Sequence, residues 1–374
     1  MLKKQIYWII LLSLLGLVSC RDDEGFVKAD QVSLLRFEFP QGDAPWDKEI
    51  EQIAEDWGMY IIYKDVDSTD LNRRWGFTAS FNPIYVCKQA TPKELQVYLK
   101  LVKEWLLGSL DKTKESDRQQ LPFYLYLVND LDDGNPNSSN YHKYHIRLKQ
   151  DGLDYWSLSF TAEEWEEGLS PEVIHNVACA FSYPGIRSRF ETGEYVIAPE
   201  FASMTDYETP VGMRYYSFEE FKAKYPDFPD AYYTENLAFY ASEQDSINEY
   251  RRRGFAPQMS EKFELITKDY GAPTWMPWIL TEQVIEGQTY IQDNNPGPVE
   301  GSIEKRAVKD FMNMVRIAMT YPEEMVRELF PVDAENPWER AGNRTINDKY
   351  DLVVKYMKET YHVDLQKFAG ILKE

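Results

Sequence analysis

The chain has 374 residues, enough for two or three folding units at about 100–200 residues each, and its formal net charge of −21 is strongly acidic. A surface this acidic repels phosphate backbones, which argues against nucleic acid as a partner. Hydrophobic residues make up 43% of the sequence and aromatic residues 15%, too much apolar surface for a disordered protein. The composition therefore predicts a folded, globular protein.

The first twenty residues have the pattern of a targeting segment. Two lysines precede an apolar run from Ile6 to Leu17, which is too short for a bilayer span but typical of a signal-peptide core. The run closes with the letters L-V-S-C, which resemble a bacterial lipobox ending at Cys20. We therefore expect residues 1–19 to be a lipoprotein signal peptide, and residues 20–36 to comprise the lipidated Cys20 and a linker.

The segment after Cys20 indicates where in the cell the protein is located. Residues 21–24 read R-D-D-E, which resembles the charged export tag that sends some Gram-negative lipoproteins to the cell surface, with a plain solvated linker as the alternative. No later stretch approaches the length of a membrane span, so the acyl chain is the expected attachment. The sequence thus predicts an outer-membrane, lipid-anchored and surface-exposed protein.

Residues 37–140 predict short strands alternating with helices and end in a loop. Trp46 to Trp57 has helical apolar spacing and ends at Gly58, while Thr91 opens a helix with a capping box and one apolar stripe. Runs rich in β-branched and aromatic residues predict three strands, at residues 59–63, 84–87 and 123–128. The polar residues from Asp130 to Asn140 predict a loop.

After residue 160, beyond two further strand patterns, the sequence changes towards helix. Residues 142–148 and 155–160 predict paired strands. Helical patterns follow at residues 170–183, 218–224, 234–253, 304–319, 321–329, 345–360 and 364–372. We therefore predict an α+β fold with a small N-terminal mixed sheet and a helix-rich C-terminal half, divided into an α+β region at 37–185 and a helix-rich region at 186–374.

The helix that begins at Ser170 contains the strongest candidate site. His175 and Cys179 are four residues apart, which places both side chains on one helix face, where two ligands can hold one metal ion. The spacing alone is weak evidence, because a histidine that merely packs in the core is the commoner situation. The pair predicts either two zinc ligands or two packed side chains.

Short motifs in a fixed order along the mature chain carry a family resemblance. They are F-P-Q-G at residues 39–42, Y-I-I-Y-K at 60–64, L-P at 121–122, I-N-D-K at 346–349, V-V-K-Y-M-K at 353–358 and V-D-L at 363–365. In this order the chain resembles zinc metallopeptidase lipoproteins that accompany SusC/SusD-type, TonB-dependent nutrient import systems. The resemblance implies a zincin-like metallopeptidase architecture.

In that family the central helix carries an HExxH motif, two histidine ligands with a glutamate as general base for the zinc-bound water. Here the corresponding residues read H-N-V-A-C. His175 matches the first ligand, Asn176 occupies the position of the base, and Cys179 occupies that of the second histidine. An amide cannot take up and return a proton near neutral pH, so the resemblance implies a degenerate site without a catalytic residue.

Zinc binding is a question separate from catalysis. A cysteine thiolate is a good zinc ligand, so His175 and Cys179 could hold two corners of a tetrahedron. The resemblance implies a downstream acidic residue as third ligand, for which Glu264 is the candidate, with an exposed helix glutamate as the alternative reading. Because loss of one ligand often accompanies loss of the site, we expect no bound zinc, and keep zinc at these three residues as the alternative.

Two further features concern cysteines and aromatic residues. Cys87 and Cys179 remain after lipidation of Cys20, and we expect two separately buried thiols rather than a bridge, although the sequence leaves both open. Trp275 and Trp278 flank Pro277, which disfavours helical packing and makes exposure of the two rings plausible. Such rings suit sugar faces and protein partners, so this pair is the candidate ligand-binding surface.

Two functions follow from these observations. The first is a catalytically inactive, metallopeptidase-like surface lipoprotein that serves as a binding or accessory component of an outer-membrane nutrient import complex, with a peptide or glycan as ligand. The second is an atypical zinc-dependent hydrolase or peptidase that uses His175, Cys179 and Glu264. The absence of a base at Asn176 favours the first.

Overall fold

The computed structural model describes residues 37–72, 85–133, 145–213, 249–260, 263, 280–285, 288–293 and 303–373. The targeting segment, Cys20 and the linker up to residue 36 lie outside this range. The helix predicted at 218–224 and most of the one at 234–253 also lie outside it.

Helices and strands alternate in the first half of the described chain, and helices dominate the second. The α-helices are α1 (Pro45–Trp57), α2 (Ser68–Leu71), α3 (Pro92–Leu101), α4 (Glu115–Arg118), α5 (Ala162–Glu167), α6 (Pro171–Glu191), α7 (Ile303–Thr320), α8 (Glu323–Leu329), α9 (Pro337–Tyr361) and α10 (Gln366–Gly370). The strands are β1 (Tyr60–Ile62), β2 (Tyr85–Gln89), β3 (Tyr124–Asp133), β4 (Leu148–Lys149), β5 (Tyr155–Phe160), β6 (Val211–Met213), β7 (Leu280–Ile285) and β8 (Gln288–Asp293). The predicted α+β class is confirmed.

The larger sheet has five strands in the order β1-β3-β5-β4, with β2 pairing along the end of β3. β1, β3 and β5 are parallel, whereas β2 and β4 run antiparallel to their neighbours, so the sheet is mixed as predicted. The pairing of the strands predicted at 142–148 and 155–160 is confirmed over a short stretch, with Leu148 opposite Leu158.

One boundary of this sheet was predicted wrongly. Residues from Asp130 to Asp133, expected in a loop, belong instead to β3, which continues to Asp133. Val86 and Tyr85 of β2 pair with Asp132 and Asp133, and these ladder hydrogen bonds stabilise an extended backbone that polar residues would not form alone. A long-range contact therefore overrides the local loop signal.

Both faces of β3 are buried, which explains its nearly continuous apolar sequence. Leu125 and Leu127 face the main core, formed with α3, α6 and α7. Tyr124, Tyr126 and Val128 alternate to the opposite face and pack in a second, tyrosine-rich cluster. The sheet thus lies between two apolar layers.

The helix after Thr91 shows how local sequence positions the main core. Thr91 accepts from the backbone N–H of Glu94, and the Glu94 side chain accepts from Thr91 N, which confirms the predicted capping box. The predicted apolar stripe is also confirmed, since Leu95, Leu99, Val102, Leu106 and Leu107 are all buried. Past α3 the chain winds as a π-helix over Val102–Leu106 and then as a 3₁₀ turn.

The helix that begins after Ser170 runs eight residues further than predicted, to Glu191, although it contains Pro184. Burial of Ile186 and Phe190 against the core stabilises this second half. The predicted division at residue 185 stays a prediction, and α6 itself continues across it.

The helix-rich half also contains a sheet that the sequence pattern did not predict. β6, β7 and β8 form three strands in that order, with β7 and β8 antiparallel. Between β7 and β8 the sequence has only Glu286 and Gly287, a spacing that indicates a hairpin and was the available signal. Within the described ranges, no helix has the length and apolarity needed to cross a membrane.

Candidate functional site

The first half of α6 is built by local signals that the sequence carries. The Ser170 hydroxyl accepts from Val173 N, and Pro171 occupies the first turn, where its missing N–H costs nothing. Helical spacing then turns His175 and Cys179 to the same buried face, with exposed fractions of 2% and 0%. The predicted pair is therefore brought together, inside the core rather than in an open cleft.

His175 is committed to a backbone contact. Its Nε2 lies 3.0 Å from the carbonyl oxygen of Met319, near the end of α7. A carbonyl oxygen only accepts, so Nε2 carries the proton and donates it across the helix interface. This nitrogen is also the one that faces Cys179, with 3.4 Å between Nε2 and Sγ. The lone pair that a metal would need is therefore absent on the side shared with Cys179.

Cys179 is held in its neutral form. Burial raises the pKa of its thiol far above the ordinary value, because a thiolate in this apolar environment would lose its hydration. Buried and protonated, the Cys179 side chain behaves as a small apolar group that packs against its neighbours.

The described donors do not fit a zinc site in this arrangement. His175 directs its Nε2 N–H at Met319 O and so presents no lone pair at that nitrogen. Among the side chains that the structure describes, no group of three histidine, cysteine, aspartate or glutamate residues is arranged to hold a metal. The third predicted ligand, Glu264, lies outside the described residues. Asn176, at the position of the general base, is partly buried and carries an amide.

The remaining predicted residues divide between described and undescribed parts of the chain. Cys87 and Cys179 are both free thiols, and the partly buried Cys87 has its pKa raised to about 11, first by burial and then by Asp67. The lipidation residue Cys20 and the candidate ligand-binding pair Trp275 and Trp278 lie outside the described residues.

A buried charged cluster was missed by the sequence reasoning. Lys349 on α9 is fully buried, and its Nζ donates to Asp310 Oδ2 at 2.6 Å and to Gly254 O at 3.0 Å. Tyr207 also donates to Asp310 Oδ2, at 2.7 Å. The rings of Phe201, Tyr207 and Phe255 surround the ammonium within 6 Å of their centroids. Burial lowers the pKa of Lys349, and Asp310 opposes that shift.

The available signal for this cluster was helical spacing. Ile346, Tyr350, Val353 and Met357 are buried along one face of α9, and Lys349 lies on the same face, three residues after Ile346. A lysine on an apolar face is rarely buried without a partner, so the pattern predicts a buried acidic partner. The partner, Asp310, could not be chosen from among 62 acidic residues without the tertiary structure.

Of three comparisons with known proteins, only the one with solved structures found a similar protein. No protein-family model matches it, and no curated protein matches it. Among solved structures, the chain is similar to one described as a putative zinc-binding metallo-peptidase from Bacteroides caccae, at 12% identity and a TM-score of 0.32, over 89% of this chain and 93% of that one. A likeness at this TM-score carries no argument about fold or chemistry, so the site rests on its own geometry.

Proposed function

We propose that the chain is a surface lipoprotein with a metallopeptidase-like scaffold that has lost hydrolysis, and that it acts as a binding or accessory component of an outer-membrane nutrient import system. The single observation that carries the loss of hydrolysis is the contact between His175 Nε2 and Met319 O. In this arrangement the α6 motif packs two helices together instead of presenting a metal to substrate.

Two further features of the same helix support the proposal. Asn176 offers no carboxylate to activate a water, so a hydrolytic step would need a base from elsewhere in the fold. Cys179 is fully buried and belongs to the main core cluster, as expected of a small apolar side chain. Each feature removes one component of the HExxH chemistry implied by the resemblance.

A zinc hydrolase remains the second candidate function because the side chains of His175 and Cys179 lie close together. Sγ of Cys179 and Nε2 of His175 lie 3.4 Å apart, so both side chains already point towards a common space. A rotated imidazole and a deprotonated thiol could then bind zinc together with Glu264. This arrangement requires the contact to Met319 to break.

The zinc content of the chain, purified without chelator, distinguishes the two candidates. Under the proposal the wild type carries far less than one zinc per chain, and His175→Ala and Cys179→Ala leave that content unchanged. Cys87→Ala is the matched control, because it removes the other described thiol. Near-stoichiometric zinc that is lost in the His175 and Cys179 variants, but kept in the Cys87 variant, would overturn the proposal.

Restoring the family residues provides a second arm of the same experiment. We expect Asn176→Glu combined with Cys179→His to raise zinc content above that of the wild type, because an imidazole replaces the thiol as second ligand, while the carboxylate at position 176 restores the base. A working atypical site would instead lose zinc on this change. Circular dichroism of the variant checks that the larger side chain at position 179 is tolerated.

The surface-lipoprotein part of the proposal rests on the L-V-S-C motif and the following R-D-D-E run. Cys20→Ala should move the chain from the membrane fraction to the soluble fraction, and protease added to intact cells should degrade the wild type. A chain that stays with the membrane after the Cys20 change, or that resists protease on intact cells, would contradict this location.

A further inference from the structure

A groove separate from the His175 pair lies where the first turn of α6 meets the π-helical segment after α3 and the C-terminal helix α10. Its volume is about 560 Å³. This is within the roughly 300–1,000 Å³ range of small-molecule sites and too small to seat a folded partner. The groove is formed entirely by described residues.

Most of the residues that line the groove are apolar. Trp105, with 5% of its surface exposed, is one of the lining residues, and the half-buried side chains of Val97 and Ile174 pack on the main core and also line the groove. Apolar surface left open to water in a concave site is a source of binding free energy, at about 25 cal/mol per Å² covered. An apolar portion of a ligand therefore fits this space.

The charge of the groove is opposite to that of the chain. Lys100, Lys367 and Glu104 line it, which is a net positive set on a protein of charge −21. Lys367 Nζ lies 3.5 Å from Glu104 Oε1 and 4.2 Å from the Trp105 ring centroid, so its charge is partly compensated. No carboxylate of the described residues lies within ion-pair distance of Lys100. Lys100 is therefore the ammonium available to an anion.

The backbone of one wall gives an independent indication. Trp105 and Glu104 belong to the π-helix Val102–Leu106. π-helical turns are rare, and those that occur are frequently found at functional sites. Here the π-helix contributes two residues to the groove lining, the aromatic Trp105 and the acidic Glu104.

We propose that this groove binds a small amphiphile with an alkyl body and a single carboxylate. The alkyl body covers Trp105, Val97 and Ile174, and the carboxylate lies against Lys100. The inference does not depend on the metal question, because the groove uses neither His175 nor Cys179.

Octanoate and 1-octanol, titrated separately into the detergent-free purified chain by calorimetry, test the proposal. We expect octanoate to bind saturably at one site and at least about fivefold more tightly than the neutral alcohol. Lys100→Glu should weaken octanoate about tenfold or more, since it places a carboxylate against the ligand's own. The matched control is Lys103→Glu, because Lys103 lies nearby in the chain, pairs with Glu49 and does not line the groove.

Three outcomes would overturn the proposal. They are no saturable octanoate binding up to about 1 mM, equal affinity for octanoate and octanol, or equal effects of the Lys100 and Lys103 changes. Both lysines are exposed, so neither variant threatens folding. Ile174→Ala tests the apolar wall independently and should weaken octanoate a few-fold, because part of the covered surface is removed.

Discussion

At the residue scale, the hydrogen-bond partner and the protonation of a single buried side-chain atom determine what that side chain can do. His175 Nε2 donates to a carbonyl, and Cys179 stays a thiol because its surroundings are apolar. The same principle acts at Tyr98, whose buried hydroxyl contacts Val128 O at 2.5 Å and accepts from Phe160 N at 2.9 Å. The His175 and Tyr98 atoms each join two elements and satisfy buried hydrogen-bond partners there.

Tyr63 gives a residue-scale prediction about pH. Its hydroxyl donates to Asp47 Oδ1 at 2.7 Å, and its pKa is raised to about 12, first by burial and then by that hydrogen bond. Because the folded pKa exceeds the ordinary value near 10, this stabilisation is complete below about pH 10 and is lost as pH rises towards 12. Urea unfolding between pH 8 and 12 should show the free energy of unfolding falling over that interval.

Substitution isolates the contribution of Tyr63. Tyr63→Phe should lose about 1 kcal/mol at pH 8 and show a smaller fall above pH 10, since the phenol that titrates is gone. Tyr290→Phe, at an exposed tyrosine, is the control and should keep the wild-type pH profile. An unchanged pH profile in Tyr63→Phe would show that this phenol does not contribute to the alkaline loss of stability.

At the element scale, α6 is held by different forces in its two halves. The first half begins at the Ser170 cap and contains the His175 contact to α7. The second half passes Pro184 and ends where Arg189 donates to Asp117 Oδ2 at 2.5 Å, with both side chains almost fully buried. Tertiary contacts therefore maintain the helix beyond the point where a proline would otherwise favour its end.

The buried ion pair predicts an asymmetry between two arginines of α6. Arg189→Met should destabilise the fold by about 3–5 kcal/mol, because Asp117 would remain buried without its charged partner. Arg187→Met, two residues earlier at an exposed pair with Glu191, should cost less than about 1 kcal/mol. Chemical denaturation of both variants measures the difference, and equal costs would refute the assignment.

At the scale of the whole molecule, the cluster around Lys349 joins segments that are distant in sequence. Its Nζ contacts Asp310 on α7 and the carbonyl of Gly254, and Tyr207 reaches the same carboxylate. Asp310 is 39 residues from Lys349 in the chain, and Gly254 is 95 residues from it. The cluster therefore helps to assemble the helix-rich half around one buried charge pair.

Lys349→Met should cost about 3–5 kcal/mol, because Asp310 would keep a buried charge with only Tyr207 as a strong donor. The double change Lys349→Met with Asp310→Leu should be less destabilising than the single one, since the unpaired charge is removed. Lys355→Met, at an exposed position of the same helix, is the control. Urea unfolding measures the free energy of unfolding of all three variants. A double variant that is less stable than the Lys349→Met single variant would contradict this account.

The sequence by itself determined the features that depend on neighbouring residues. The capping box at Thr91, the apolar stripe from Leu95 to Leu107 and the start of a helix at Ser170 are local, and the structure confirms them. The mixed α+β class follows from the same periodicities. The common face of His175 and Cys179 also follows from a spacing of four residues on a helix.

Only the tertiary structure decided what those local features do. The extension of β3 to Asp133 depends on β2, the passage of α6 through Pro184 depends on buried contacts, and the partner of Lys349 depends on α7. Likewise, whether His175 Nε2 offers a lone pair or a proton depends on Met319, 144 residues away. Side-chain spacing along a helix is set by backbone geometry, whereas protonation and hydrogen-bond partners are set by whatever packs against that helix.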